Sequence, residues 1–176
     1  MSRISIDDAY LNRLAEIESG GDPYAQNPRS SAGGLFQFID STARQYGLQD
    51  KYDPLAAIAA AEQLTEDNRR ILTKTLGREP SDGELYLAHQ QGAGGAARLL
   101  ANPDANAAEL LGQDQVALNG GDPSMTAGEF ANKWISKFEE PVTSVSSFVT
   151  ESTLPEQSDA MQFQQGMDEL PEGFDL

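Results

Sequence analysis

The sequence predicts an all-helical domain, with at most a minor β or loop element. Three observations point there. Capping pairs, in which a Ser or Thr is followed three residues later by an acid, recur along the chain. Gly and Pro sit between the apolar-periodic stretches, where helices start and stop. Alternation of apolar and polar residues, the mark of a half-buried strand, is nearly absent.

A first helix is expected to open at Ser5, with Asp8 three residues on, and to stop at Gly20-Gly21. Asp40 or Ser41 is expected to cap a short second helix ending near Gly47. Asp53-Pro54 reads as an N-cap followed by a proline at the first helical position. The helix it opens runs to about Leu76, before Gly77. Ser81 and Glu84 form a capping box for a helix that stops at Gly92. Short helices come next at about 94–101 and 106–111, with another near 114–118. Thr126 with Glu129 caps the last, which carries Phe130, Trp134, Ile135 and Phe138. The stretch from Gly34 to Ile39 (GLFQFI) reads either as a short strand or as a loop.

Composition narrows the function classes. The chain has 176 residues, with 28 acidic side chains against 12 Lys and Arg, a net charge of -16. That length suits one compact domain with or without an appendage. The acidity argues against nucleic acid or an anionic membrane as partner, since both require basic patches. With no Cys, disulfides, iron–sulfur clusters and thiolate zinc sites are excluded. A single histidine, His89, rules out a multi-histidine metal site, and no metal or cofactor is expected. No run of about 18 apolar residues exists, so no membrane insertion is expected. The opening MSRISIDDAY lacks the basic-then-apolar run of a secretory signal. The chain is therefore expected to stay in the cytoplasm where it is made, unless something else exports it.

The charge is unevenly placed. Residues 141–176 hold seven acids and no Lys or Arg, which leaves residues 1–140 with 21 acids and 12 basic residues, a net of -9. After Phe138 come Pro141 and a Ser/Thr-rich run. Such a composition buries too little apolar surface to offset ordering entropy. The expectation is a folded domain over 1–140 and a mostly disordered acidic tail over 141–176. Phe148, Leu154, Met161, Phe163, Met167, Leu170 and Phe174 stud that tail. It reads as a solvated tail or as a docking segment that folds on a partner.

One residue carries most of the chemistry. Leu11, Leu14 and Glu18 lie at i, i+3 and i+7 and share a helical face. Two core leucines would bring Glu18 to the edge of the core at the helix end. Burial disfavours the charged form of a carboxyl, and a raised Glu suits general-acid work near neutral pH. The alternative is a Glu that is merely solvated or paired with an Arg.

The residues after Glu18 bear on that choice. Glu18-Ser19 ends the helix, then comes Ser31-Ala32-Gly33-Gly34-Leu35-Phe36-Gln37, then Thr42. A third block, Ala88-His89-Gln90-Gln91-Gly92, lies near a later helix end. This ordered set resembles the soluble lytic transglycosylase family, whose fold is lysozyme-like. The family pattern is Glu-Ser, a Ser-x-x-Gly-Leu-(Met/Phe)-Gln segment, a Thr, and later Ala-Tyr-Asn-x-Gly. Here His89 replaces the Tyr, Gln90 replaces the Asn, and Asp40 stands where a Pro is usual. The third block and the stretch Pro123 to Phe130 are similar to the phage virion-associated branch. The resemblance covers about residues 8–138. A second Glu-Ser pair, Glu151-Ser152, lies in the tail without the Gly-Leu-Phe-Gln segment and is discounted.

The resemblance implies a substrate and a set of roles. The substrate would be the glycan strands of peptidoglycan, cut at the β-1,4 bond between N-acetylmuramic acid and N-acetylglucosamine. Glu18 would be the catalytic acid and then the base, with a 1,6-anhydro product. Ser19 would hydrogen-bond in the active site or hold the backbone. Ser31 would help hold Glu18 or the substrate, or serve a turn. Gly34, Phe36 and Gln37 would belong to the substrate-binding segment, with Phe36 lining the cleft or filling the core, and Gln37 binding an acetamido group or buttressing the loop. His89, in the place of a family Tyr near the acid, would donate a hydrogen bond and change charge near pH 6.5. Gln90 joins the substrate-binding set, and Gly92 would allow a tight turn and close approach of sugar. Tyr86 and Trp134 read as core.

Two-carboxylate glycosidases hold their acids about 5–5.5 or 6.5–9.5 Å apart. Asp22, Asp40 or Asp53 could supply a second one, making a hydrolytic muramidase the runner-up. A non-catalytic virion protein and a secretion-system accessory enzyme are the other readings. The favoured setting is a phage particle, with the tail docking to other virion proteins and the enzyme opening the cell wall locally during genome entry.

Overall fold

The computed structural model describes residues 8–140. They form α1 (Ala9–Ser19), α2 (Asp40–Gln45), α3 (Pro54–Leu76), α4 (Asp82–Ala101), α5 (Ala107–Leu111), α6 (Gln113–Leu118) and α7 (Ala127–Glu139), with no strand among the described residues. This is an all-helical, lysozyme-like domain. Ser5, the segment 141–176 and Glu151-Ser152 lie outside the described residues.

Local chemistry explains most boundaries. Asp53 accepts from the backbone N–H of Leu55 and Ala56, Pro54 opens α3, and Gly77 at φ 69° closes it. The expected capping boxes of α4 and α7 are both formed, Ser81 with Glu84 and Thr126 with Glu129. Arg78 grips Glu84 through two bonds of 2.7 and 2.6 Å, which holds that carboxyl below its usual range.

Two starts differ from expectation. In α1 the cap is Asp8 itself, whose carboxylate accepts from Leu11 N at 2.9 Å. In α2 neither Asp40 nor Ser41 is the cap: Ile39 occupies that position without a side-chain bond. Ser31 substitutes from a distance, its Oγ accepting the Asp40 N–H at 3.2 Å. Asp40 occupies the first helical position, where a Pro would lack that N–H; here the extra donor has an acceptor.

The expected stop at Gly92 is a kink. Gly92 takes φ 71°, ψ 152°, a conformation essentially reserved for glycine, and α4 resumes beyond it as the short helix expected there. The GLFQFI stretch is a loop with isolated bridges, Gln26 to Gly33 and Gly33 to Phe38. A tight turn inside it puts Gln37 at φ 50°.

The core forms around α4, which packs mainly against α7 and α3. Its first half is buried on nearly all sides, as a central helix must be. Leu11, Leu14, Leu35, Phe36, Phe38, Leu72, Leu85, Leu99 and Phe130 fill the space around it. Tyr86 packs on Trp134 and Phe138 at 6.4 and 5.4 Å between ring centres, and Tyr10 stacks on Phe138 at 5.1 Å. Arg13 ties α1 to the end of α7 by donating to the Phe138, Lys137 and Glu140 carbonyls. Among the described residues no helix is long and apolar enough to cross a membrane.

Candidate active site

Glu18 sits one residue before the end of α1 and is 5% exposed. The i, i+3, i+7 spacing with Leu11 and Leu14 takes it inward, where α4 meets it. Gln90 donates its Nε2–H to Glu18 Oε1 at 2.5 Å. The Tyr86 hydroxyl, four residues earlier on the same face of α4, adjoins the carboxyl but is not aligned for a hydrogen bond. Burial pushes Glu18 up to about 7, against the opposing pull of Lys137 and of the Tyr86 and Gln90 groups. Glu18 in turn helps push the Tyr86 and Tyr10 hydroxyls upward, though burial is the larger cause for both. A carboxyl half protonated near neutral pH can both give and take a proton.

The Ser31 to Gln37 segment is the frame for this acid. Ser19 Oγ donates to the Ala15 carbonyl at 3.0 Å and to the Leu35 carbonyl at 2.9 Å, so it ties the helix end to the segment. Of its two expected roles, the structure displays the one of holding backbone. Phe36 is fully buried and takes the core alternative, because the turn aims its ring into the core. Gly34 is buried too: a Cβ there would lie 2.0 Å from the Lys51 carbonyl oxygen, so only glycine fits this point of the segment. Gln37 donates from Nε2 to the Gly34 carbonyl at 3.0 Å and buttresses the turn, while its buried Oε1 has no partner among the described residues. Ser31 serves the start of α2, and Lys51 reaches both its carbonyl and the Asp40 carboxylate.

His89 corrects one expectation. The ring is half-buried with Nε2 shielded from solvent, and desolvation pushes its pKa down to about 4. A charge change near pH 6.5 is therefore replaced by a ring that stays neutral through the physiological range. A bond to the Phe36 backbone pulls the other way and is outweighed. His89 stacks on Tyr86 at 6.4 Å and 12°.

The three candidate second carboxylates each have another task. Asp22 accepts the Tyr24 N–H in a turn, Asp40 pairs with Lys51, and Asp53 caps α3. Two groups at Glu18 were missed in the sequence, Tyr86 and Lys137. The signal existed: Tyr86 is i-4 from Gln90, and Lys137 is i+3 from Trp134, over whose ring it lies at 5.6 Å.

The opposite shifts of Glu18 and His89 make a prediction about stability. Glu18, raised, stabilises the fold fully below about pH 4.5 and loses that contribution as pH rises through 7. His89, depressed, contributes above about 6.5 and loses it as pH falls through 4. Each is worth up to about 3 kcal/mol, and the two oppose one another between pH 4.5 and 6.5. In urea titrations over that window, Glu18→Gln should gain stability with rising pH and His89→Gln should lose it. If both variants keep the wild-type slope, neither group is held in the desolvated state that shifts it.

Comparison with known proteins agrees with this geometry. A stretch of 35 residues is 54% identical to "Probable transglycosylase SceD 2" of Staphylococcus saprophyticus subsp. saprophyticus, covering 20% of this chain and 14% of that protein. The chain thus spans only a small part of that relative's length. Residues 1–110 match the family described as the Transglycosylase SLT domain, which takes in α1 to α4 and all but the last residue of α5. With more than half of the chain matched, including Glu18, the Ser31 to Gln37 segment and Gln90, the chain belongs to the transglycosylase SLT domain family.

Proposed function

We propose that the protein is a peptidoglycan lytic transglycosylase that cleaves the β-1,4 bond between N-acetylmuramic acid and N-acetylglucosamine. The observation that carries this reading is the buried Glu18 carboxyl, raised to about 7 and held by Gln90, in a chain of this family. In the first step Glu18 gives its proton to the glycosidic oxygen as the bond to muramic C1 breaks. The acetamido oxygen of the same sugar stabilises the electron-poor C1. The Glu18 carboxylate then takes the proton of the muramic C6 hydroxyl as its oxygen bonds to C1. The strand is cut, a 1,6-anhydro ring is closed, no water is consumed, and Glu18 ends protonated. One carboxyl suffices for both transfers, and the engagement of Asp22, Asp40 and Asp53 elsewhere supports this route over a two-carboxylate hydrolysis.

Digestion of purified peptidoglycan and weighing of the muropeptides tests the proposal. Products lighter by one water than the hydrolysed form are expected. Reducing-end products would make the enzyme a muramidase. We place the enzyme in a phage particle, opening the wall locally during genome entry, with residues 141–176 docking to other virion proteins. The similarity of residues 123–130 to the virion-associated branch and the acidic, apolar-studded tail support that setting. Mass spectrometry of purified particles would detect the chain; its absence there would refute the placement.

A further inference from the structure

Gln90 bonds Glu18 from the end of a helical run. Two residues on, Gly92 has left the helical region at φ 71°, ψ 152°. The last turn of a helical run is the part that frays, because its carbonyls lose the regular ladder. A bond from such a turn to a buried carboxyl stays aligned only if something else holds the turn.

Gln91 meets that need. It lies one residue past Gln90, about 100° further round the helix, and its amide enters a closed ring with α6. Gln91 Nε2 donates to Asn119 Oδ1 at 3.3 Å, and Asn119 Nδ2 donates to the Gln115 carbonyl at 2.5 Å. Gln115 Nε2 donates back to Gln91 Oε1 at 3.3 Å. Gln91 and Asn119 are 5% and 4% exposed, so both amides of this pair are buried and bonded. The ring has a firm base. Val116, between Gln115 and Asn119, is fully buried, and Lys133 of α7 donates to the Gly120 carbonyl. α6 follows the residues that match the family, so the ring joins the third motif block to an element beyond them. An amide ring that only welded α6 to the domain need not sit at the kink beside the residue that holds Glu18.

We propose that Gln91, Asn119 and Gln115 are positioning residues for Glu18: α6 fixes the last turn before Gly92, and this keeps the Gln90 N–H aimed at the carboxyl. They act through Gln90 and neither give nor take a proton. For its catalytic consequence the inference rests on the transglycosylase reading, in which the Gln90 N–H stabilises the carboxylate that stands between the two transfers. The groups that act on that carboxyl are Gln90 and Tyr86 from α4, Lys137 from α7 and Tyr10 from α1. Of these, Gln90 is the one that adjoins Gln91.

The test reads the Glu18 carboxyl itself. Full-length protein is isotope-labelled at its Glu side-chain carboxyls and titrated by NMR, with the Glu18 signal identified by its loss in Glu18→Gln. The two explanations move the midpoint in opposite directions. General loosening admits water and brings it down from about 7 towards the ordinary 4.5. Loss of an aligned N–H removes a stabiliser of the charged form and sends it up. Gln90→Met should raise the midpoint by about one pH unit, the worth of a hydrogen bond to a charged group. Asn119→Leu should raise it by at least about half a unit, while the melting temperature falls because the buried Gln91 N–H loses its partner. Gln115→Met removes a single bond at a half-buried residue, so it should stay folded and give a smaller rise. In the Gln90→Met background, Asn119→Leu should add nothing further. An unchanged or lower midpoint in either folded α6 variant, or a full additional rise in the Gln90→Met background, would overturn the proposal. Wild-type protein that titrates as expected but releases no muropeptides would sink the cleavage reading and leave the positioning role standing.

Discussion

Glu18→Gln should lower muropeptide release by about a thousandfold or more, since both proton transfers depend on one carboxyl and each general acid–base role contributes about 10²–10⁴-fold. The substitution keeps size and an acceptor for the Gln90 N–H, and it removes a buried group that is half ionised near neutrality. The melting temperature at pH 7 should therefore equal or exceed that of the wild type, which separates lost chemistry from lost fold. For the wild type, the first transfer needs Glu18 protonated, so the rate should fall as pH rises past about 7. A variant that still releases muropeptides at a tenth of the wild-type rate would remove Glu18 from the mechanism.

Gly34→Ala is expected to destabilise the domain by about 3–5 kcal/mol, at the severe end for a single substitution. Two effects add there. The backbone holds φ at +78°, where a Cβ is strained in any surroundings, and the new carbon would lie 2.0 Å from the Lys51 backbone oxygen. No side-chain rotamer can relieve a clash with backbone. Gly20→Ala is the matched control: φ is +63°, nothing lies within 4 Å, and only the conformational penalty of about 1 kcal/mol remains. Urea denaturation of both variants should separate them clearly, and equal midpoints would show that the Gly34 to Lys51 contact yields easily. Relocation of the segment would also loosen the Ser19 to Leu35 tie beside Glu18, so activity of Gly34→Ala should fall faster than its folded fraction.

Punctuation was the most legible part of the sequence. Asp53-Pro54, Gly77, Ser81 with Glu84, and Thr126 with Glu129 act within one helical turn, so their effect is written in neighbouring residues. Asp40 misled for the complementary reason. Its N–H is bonded by Ser31 and its carboxylate by Lys51, nine and eleven residues away, and local spacing carries no record of either. Phe36 shows the same limit at the site. A motif places it beside the acid, but the turn around Gln37 decides which way its ring points.

Helical class, most of the caps, the family and the candidate acid can all be read from the chain before it folds. Each rests on short-range periodicity or on an ordered motif. The electrostatics came from packing. Folding buried Glu18 against Gln90 and Tyr86, placed Lys137 near it, and lowered His89 instead of leaving it to titrate near pH 6.5. It also set the nearly buried Asn68 into a pocket wall. Desolvation is the cause: a side chain's proton affinity depends on which distant segments exclude water from it, and those segments meet only when α1, α4 and α7 pack together.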